Sequence, residues 1–163
     1  MEICIRPINI DDYHDFFVIA HKETYRLTFQ DEIPKEFLLQ EFDRTRNNSI
    51  SNEKSVVGAF FGEEIVGLAI HEVRADSDKH EYGWIHFYYV SQDFRRLGVG
   101  TELVRYSKEY FKRLGFKEFC LRTGEFNTNA QAFYLKIGFK HDTNEDKASL
   151  GGVTEYFMRY DIT

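Results

Sequence analysis

One stretch decides the fold of this sequence: YYVSQDFRRLGVGT, residues 88–101. The apolar run that ends at Val90 is typical of a strand, and a helical pattern begins directly after Gly98. The turn between them carries Arg95, Arg96 and two glycines. The first amides of a helix have no partner inside it, and glycine lets the backbone approach a ligand closely. The stretch therefore predicts an anion site, of a size suited to a diphosphate.

Several interpretations of this turn compete. A Walker loop requires a lysine before the Ser/Thr, whereas here Thr101 follows Gly100 directly. A dinucleotide fingerprint requires Gly-x-Gly-x-x-Gly after the first strand, whereas here Arg-x-x-Gly-x-Gly follows the fourth predicted strand. The pyrophosphate of coenzyme A is the third ligand. A nucleotide-binding protein that holds ATP here, and a plain helix start with chance glycines, stay open as alternatives.

The periodicity of the rest of the chain predicts about seven strands and four helices. The predicted strands are 2–8, 56–61, 65–72, 81–90, 117–123, 139–141 and 153–160. The predicted helices follow a cap at Asn9 or Asp11, begin at Pro34, and span 98–114 and 127–137. Segment 25–33 is predicted as irregular, and 46–55 as a loop. This order predicts a mixed α/β fold of the α+β type, one twisted sheet with helices on both faces.

The composition is that of a soluble globular protein. Its 163 residues suit one domain, 1–163, with 42% hydrophobic and 29% charged residues. No run approaches the roughly 18 consecutive apolar residues of a membrane helix, and no secretory signal is recognisable. We therefore expect a cytoplasmic protein without a membrane partner. Cys4 and Cys120 are expected to be reduced core residues.

The charge pattern argues against nucleic acid as a partner. The net charge is −6 and the basic residues are mostly dispersed, whereas a nucleic-acid binder usually carries a basic stripe. An acidic surface weakly favours a cationic acceptor such as an amine. Aromatic residues make up 17% of the chain, which indicates either a lined pocket or a subunit interface, so a homodimer is one expectation. The histidines lack metal-ligand spacing, so we predict no metal.

A second motif lies downstream: NTNAQAFYLKIGF, residues 127–139. It is similar to the pattern N-x-x-A-x-x-F-Y-x-x-x-G-F, and residues 95–100 are similar to R/Q-x-x-G-x-G/A. Both patterns belong to the GCN5-related N-acetyltransferase (GNAT) family, whose small bacterial-type members this sequence resembles over its whole length. The Leu150-Gly151-Gly152 segment before the last strand is similar too. The resemblance implies a mostly antiparallel sheet whose fourth and fifth strands splay apart.

The resemblance also implies acetyl-CoA as co-substrate and assigns roles to residues. The implied cofactor contacts are the main chain of Tyr88, Tyr89 and Val90, the turn residues Arg95, Arg96, Leu97, Gly98, Val99, Gly100 and Thr101, and the amide of Asn127. Tyr134 would protonate the leaving thiolate. Asn127 has a second interpretation as a helix N-cap, and Tyr134 as a core tyrosine. Phe133 and Phe139 are assigned to packing.

The residue that removes a proton from the amine is less obvious. Many family members carry a glutamate on the fourth strand, where this sequence has Trp84. His86 is our candidate base, because alternation would place it on the same side of the strand and because histidine exchanges protons near neutral pH. Its alternative role is packing. Glu81 and Glu125 are weaker candidates.

For the acceptor we expect a primary amine of a small molecule or peptide that attacks the thioester directly in a ternary complex. The expected walls of its pocket are Tyr25, Phe29, Trp84 and the loop 143–152, since aromatic rings hold amines by cation–π contact. Cys120 as a nucleophile is disfavoured, because it has no basic neighbour in sequence. The alternative is a non-catalytic acyl-CoA-binding or sensor module with the same fold.

Overall fold

The computed structural model describes residues 2–149 and 151–163. Within these ranges the helices are α1 (His14–Phe29), α2 (Lys35–Ser51), α3 (Val99–Arg113) and α4 (Thr128–Ile137). The strands are β1 (Ile3–Pro7), β2 (Val56–Phe61), β3 (Glu64–Ala75), β4 (Glu81–Val90), β5 (Glu118–Gly124), β6 (Lys140–His141), β7 (Lys147–Ala148) and β8 (Thr154–Asp161). The predicted mixed α/β class with four helices is confirmed. The strand that we did not predict, β7, forms in the polar loop by pairing with β8. Leu150 of the same loop lies outside the described residues.

The strands form one sheet in the order β1-β2-β3-β4-β5-β8-β6, with β7 also on β8. Neighbours are antiparallel except β4 and β5, which are parallel. In the described chain these two strands pair only through Gly83 with Phe119 and Trp84 with Cys120. Beyond these pairs they separate, so the splay that the resemblance implied is present. We call the space beyond Trp84 and Cys120 the gap.

Helices cover the two faces of the sheet. On one side α1 packs on β4 and β5 and α2 packs on β2, and we call this the α1–α2 face. On the other side α3 packs on β1, β3, β4 and β5, and we call this the α3–α4 face. The core of the α1–α2 face contains Ile10, Phe17, Phe42, Val56, Leu68 and Ile70. The larger core of the α3–α4 face contains Ile85, Val104, Phe111, Phe119, Leu121, Phe139 and Met158, and α4 packs its Phe133 and Tyr134 against it. Burial of these side chains positions the helix ends around the gap.

A β-bulge interrupts β4 where the gap begins. The consecutive residues Ile70 and His71 of β3 pair with Phe87 and Ile85 of β4, so His86 is an extra residue opposite them. An extra residue shifts the alternation of side chains by one position. On either face of the sheet, the side chains of β4 therefore change between even-numbered and odd-numbered residues at the bulge.

This bulge corrects the predicted orientation of β4. Strict alternation placed Tyr82, Trp84, His86, Tyr88 and Val90 on one face. In the structure His86 contacts Glu41 of α2, whereas Tyr88 contacts Ser107 of α3. His86 thus lies on the α1–α2 face, and Tyr88 and Val90 lie on the opposite face with the α3 core.

Two helices extend further than predicted. The last turns of α1 fall in a segment that we predicted as irregular, but Tyr25 and Phe29 lie one turn apart with their rings in contact, at a centroid distance of 4.6 Å. Such pairs stabilise a helix. Helix α2 continues to residue 51 through asparagines and serines that we predicted as a loop, where Arg46 binds the carboxylate of Asp11 at 2.7 Å. Tertiary contacts thus override weak local propensity.

The two cysteines have different environments. Cys120 is fully buried, and burial raises the pKa of its thiol to about 12, so it offers no thiolate for a nucleophilic role. Cys4 is exposed, so its prediction as a core residue is wrong. The physical reason is the alternation of edge strand β1, which turns Ile3 and Ile5 toward the α3 core and Cys4 away from it.

Candidate functional site

The turn before α3 is open to solvent and offers main-chain donors. Gly98 is the N-cap of α3, has φ of 88°, and makes no side-chain cap bond. Arg96 also has positive φ, at 65°. Within the described chain, no side chain and no carbonyl outside α3 accepts a hydrogen bond from the amides of residues 96–101. The amides of the predicted anion site are therefore available to a ligand.

The two arginines of this turn differ. Arg95 donates two hydrogen bonds, one to the Glu23 carboxylate of α1 at 2.5 Å and one to the Val90 carbonyl at 3.0 Å. Among the described residues, no carboxylate lies within ion-pair distance of Arg96 (4.0 Å). Arg96 is thus the cation left to face an anion, and Arg95 joins α1 to the end of β4. Sequence reasoning assigned both to phosphate and missed Glu23, because that contact spans 72 residues.

Gly100 serves a packing role that the sequence did not reveal. A Cβ atom at this position would lie 3.0 Å from the Phe133 ring of α4. The glycine therefore lets α4 approach the first turn of α3. Phe133 and Phe139 pack as predicted, since both contact the α3–α4 core. This packing fixes the position of Tyr134, the next residue on α4.

The main chain of β4 lines one side of the gap. The Ser91 amide donates to Val66 of β3, so the preceding residue, Val90, directs its N–H and carbonyl away from β3. Tyr88 has the same orientation, because pairing groups alternate along an antiparallel strand. Because Arg95 already binds the Val90 carbonyl, the main-chain groups that the described chain leaves to a strand-like ligand here are the Val90 N–H and those of Tyr88.

Tyr134 lies at the α3–α4 side of the gap. It is half-buried on α4, and its ring centroid is 6.3 Å from that of Tyr88. Burial raises the pKa of its phenol far above the ordinary value, so Tyr134 keeps its proton at neutral pH. Asn127 caps α4, since its side chain accepts from the Ala130 amide at 3.4 Å, which is the N-cap interpretation of this residue.

The side chain of Tyr88 is occupied away from the gap. Its hydroxyl donates to Ser107 of α3 at 2.5 Å, and Ser107 contacts Nε2 of His71 at 2.7 Å. The Nδ1–H of His71 donates to the Ser55 carbonyl, so Nε2 is the acceptor of this neutral ring. Burial, opposed by that backbone bond, lowers the pKa of His71 to about 4. This network stabilises α3 on the sheet.

On the α1–α2 face, His86 forms a pair with Glu41. The distance between Nε2 of His86 and Oε2 of Glu41 is 2.5 Å, and their side chains are 16% and 11% exposed. Burial raises the pKa of Glu41, but the hydrogen bond and charge of His86 outweigh it, so the pKa is lowered and Glu41 stays ionised. A carboxylate only accepts, so Nε2 carries the hydrogen of this bond, and Nδ1 is the nitrogen that can take up or release a proton. This arrangement suits a base.

A second histidine, His21 of α1, lies beside this pair. Its ring stacks on Phe87 with centroids 4.0 Å apart, and its Nδ1–H donates to the Phe17 carbonyl at 3.0 Å. Its Nε2 is buried, with no partner among the described residues. Burial, partly offset by the Phe17 bond, lowers the pKa of His21 to about 4, so the ring is neutral. No local motif indicated Glu41 or His21 as a neighbour of His86.

Trp84 does not wall an open pocket as predicted. It is 4% exposed, because the Arg74 guanidinium covers its ring at 3.9 Å. Tyr25 and Phe29 are half-buried near the end of α1, where Thr28 approaches Gly124 of β5. Their contact with an acceptor stays a prediction.

Of the weaker base candidates, Glu81 is exposed at the end of β4 away from the gap, since β4 and β5 pair at Gly83 and Trp84, between it and the gap. Glu125 follows β5, and its amide binds the Thr154 carbonyl. Neither carboxylate forms a hydrogen bond or ion pair in the described chain. His86 is therefore the candidate with an organised partner.

One group of possible metal ligands lies elsewhere, in the turn between β3 and β4. Ligand atoms of Asp76, Asp78 and His80 lie within 4.8 Å of one another, all exposed. The Asp76 carboxylate already accepts from the amides of Asp78 and His80, so the group closes the turn. The absence of a metal stays a prediction. Among the described helices, none is both long and apolar enough to cross a membrane.

Several known proteins are similar to this chain in sequence or in structure. An uncharacterised N-acetyltransferase of Methanocaldococcus jannaschii is 34% identical over 87 residues, covering 50% of this chain and 38% of that protein. The probable N-acetyltransferase camello of Xenopus tropicalis is 28% identical over 127 residues, covering 72% of this chain and 58% of that protein. The chain thus spans less than two thirds of the length of these relatives.

Solved structures share the fold. A GNAT-family acetyltransferase from Staphylococcus aureus Mu50 superposes with a TM-score of 0.78 at 18% identity, covering 99% of this chain and 100% of that one. The PaiA N-acetyltransferase from Thermoplasma acidophilum, in complex with coenzyme A, gives 0.68 at 20% identity and 99% of both chains. The model of the acetyltransferase (GNAT) family matches residues 14–139, which is more than half of the chain. The chain belongs to the acetyltransferase (GNAT) family.

Proposed function

We propose that this protein transfers an acetyl group from acetyl-CoA to a primary amine of a small molecule or peptide. The observation that carries the proposal is the turn before α3, whose amides at 96–101 are available and open beside the gap between β4 and β5. Membership of the acetyltransferase family and the coenzyme A bound by the PaiA structure support the same ligand.

The residues present fit coenzyme A. The amides of the turn and the Arg96 side chain would hold the pyrophosphate, because donors and positive charge converge there. The main-chain groups of Tyr88 that point into the gap would bond the pantetheine arm as an added strand would, and the Val90 N–H is left for the acetyl end, since Arg95 binds the Val90 carbonyl. The Asn127 amide is proposed as a further contact. Arg95 acts mainly by holding α1, through Glu23, against this end of β4.

The proposed reaction is direct attack by the amine. His86 accepts a proton from the ammonium on Nδ1, which leaves a neutral nitrogen with a lone pair. That nitrogen forms the bond to the acetyl carbon as the carbon–sulfur bond breaks, and the Val90 N–H would polarise the carbonyl. Tyr134 gives its proton to the departing thiolate, and its phenolate is reprotonated by the second proton that the nitrogen loses as the amide forms. Glu41 does not react; it fixes the tautomer and orientation of His86.

Two titrations and one assay test the proposal. In calorimetry we expect acetyl-CoA to bind and ATP to bind far more weakly. A panel of primary amines is then mixed with acetyl-CoA, and release of free thiol is followed. Binding of ATP in preference to acetyl-CoA would overturn the cofactor assignment. Tight acetyl-CoA binding without thiol release by any amine would instead favour the non-catalytic sensor.

Other expectations stay predictions. These are a single domain over 1–163, a cytoplasmic location, a homodimer, and the absence of metal and nucleic-acid partners.

A further inference from the structure

Arg122 lies at the start of the gap and has no role in the proposed reaction. It lies on β5, two residues after Cys120, which forms the last pair with Trp84 of β4. His86 lies two residues after Trp84 on the other strand. Both side chains are on the α1–α2 face, since Arg122 approaches the rings of Trp84 and Phe157 and His86 contacts α2. Arg122 and His86 therefore flank the start of the gap on the same face.

The guanidinium of Arg122 is fixed but has no carboxylate. Its carbon lies 5.1 Å from the Phe157 ring centroid and 5.5 Å from that of Trp84. One terminal nitrogen donates to the Glu145 carbonyl at 3.3 Å. Its Nε is buried without a partner in the described chain. Among the described residues, no Asp or Glu oxygen lies within 4.0 Å of it.

Neighbouring arginines show that this is unusual for the region. Arg159, which also stacks on Phe157, is bound by Asp142 at 2.8 Å and Glu118 at 3.0 Å. Arg74, over the Trp84 ring, lies 3.6 Å from Glu72, which Arg44 binds at 2.7 Å. Each of these guanidinium groups thus has a carboxylate at ion-pair distance, which Arg74 shares with Arg44, whereas Arg122 has none in the described chain.

A guanidinium held in place by aromatic rings is suited to bind a carboxylate through two parallel hydrogen bonds. Holding it in advance lowers the entropy lost on binding. An unpaired donor that is partly removed from water is also costly unless a ligand satisfies it. The protein as a whole has a net charge of −6, so the positive charge of Arg122 is local to this face.

We propose that the acceptor is an amino acid whose free carboxylate binds Arg122 while its amine faces His86. This inference rests on the proposed function, because it uses the same gap and the same base. Paired strands are roughly 4.8 Å apart, and the gap widens beyond the last pair. That spacing suits an amine and a carboxylate separated by a few bonds.

Matched acceptors test this assignment. Amino acids are compared with their primary amides, which keep the amine and lose the carboxylate charge, in the thiol-release assay with acetyl-CoA. We expect kcat/KM to favour the acids by about tenfold to a hundredfold, the range for a charged hydrogen bond. In Arg122→Gln this preference should fall to about one, while kcat/KM for the amides is retained. Arg122→Lys should keep part of it, and Arg113→Gln, on the exposed end of α3, should keep all of it.

Several results would overturn the inference. One is a wild-type protein that uses amides as well as acids. Another is an equal loss for both acceptor types in Arg122→Gln, because a purely structural role would not change the ratio.

Calorimetric binding of the same pairs, in the presence of coenzyme A, separates this inference from the proposed function. If thiol release fails but acids bind better than amides in an Arg122-dependent manner, the carboxylate site stands and the transfer reaction does not. If neither selectivity nor turnover is found, both are refuted.

Discussion

The turn before α3 and the α1–α2 face of the gap are built in different ways. The turn uses main-chain amides of consecutive residues, supported by positive φ at Arg96 and Gly98. The α1–α2 face uses side chains from separate elements, such as His86 and Glu41, which are 45 residues apart in sequence. A site of the first kind is contained in a short motif, whereas a site of the second kind exists only once the fold brings its parts together. Substitutions on the two sides should therefore have separable effects.

The largest effect should follow His86→Ala. Loss of the base should lower kcat/KM by about 10²–10⁴-fold, the usual range for general base catalysis. The affinity for acetyl-CoA should not change, because the turn does not contact His86. Steady-state kinetics and calorimetry measure the two quantities. A variant with unchanged turnover and an unchanged pH profile would remove His86 from the mechanism.

A pH titration of stability should reveal the buried histidine of the α1–α2 face. The pKa of His21 is lowered from 6.5 to about 4, chiefly by burial, so the unfolded chain binds more protons between these values. Its contribution is fully present above pH 6.5 and is lost as the pH falls toward 4, up to about 3 kcal/mol. In His21→Phe this part of the loss should disappear, whereas the similar contribution of buried His71 should remain. Urea unfolding at pH 7 and 4.5 measures it, and identical pH slopes for both proteins would contradict the assignment.

A smaller effect is expected from Glu41→Gln. The amide no longer holds His86 as a carboxylate does, so kcat should fall by about tenfold, the equivalent of one good hydrogen bond. KM for acetyl-CoA should stay the same. Glu36→Gln, exposed in the first turn of the same helix, is the matched control and should behave like the wild type. Equal kinetics for the two variants would show that Glu41 does not position the base.

The smallest effect concerns the turn itself. Gly98 and Gly115 have nearly equal positive φ, 88° and 86°, and a Cβ atom would meet at most a distant contact at either. Each change to alanine should cost about 1 kcal/mol of stability through backbone strain alone. Gly98→Ala alone should also weaken acetyl-CoA binding, because it disturbs the amides of the anion site. Equal affinity for acetyl-CoA in both variants would show that the turn does not bind the cofactor.

The sequence predicted the parts of the molecule that are encoded locally. The bounds of β2 and β4 agree with the prediction, and the anion turn ends in the expected helix, because glycines and apolar periodicity act over a few residues. The end of α2 was missed, since asparagine and serine are ambiguous without tertiary partners such as Asp11.

Of the candidate site, the turn could be predicted and the environment of the base could not. Trp84 appeared available to an acceptor because no local signal reports that Arg74 covers it. Glu23, Glu41 and His21 belong to no motif, and the role of each depends on a residue far away in sequence, which is Arg95, His86 and Phe87 respectively. Polar side chains on helices are usually exposed to solvent, so hydrophobic periodicity does not predict that these ones are buried next to the gap.

The bulge in β4 has a consequence for chain length. Two residues of this strand share the space opposite a single position of β3, so removing His86 would leave a regular ladder in which Phe87 directly follows Ile85. Neither neighbouring segment would lose its partner, and the protein should still fold. Such a one-residue deletion would abolish the base while preserving the mouth of the coenzyme site, which makes it a cleaner knockout than many point replacements.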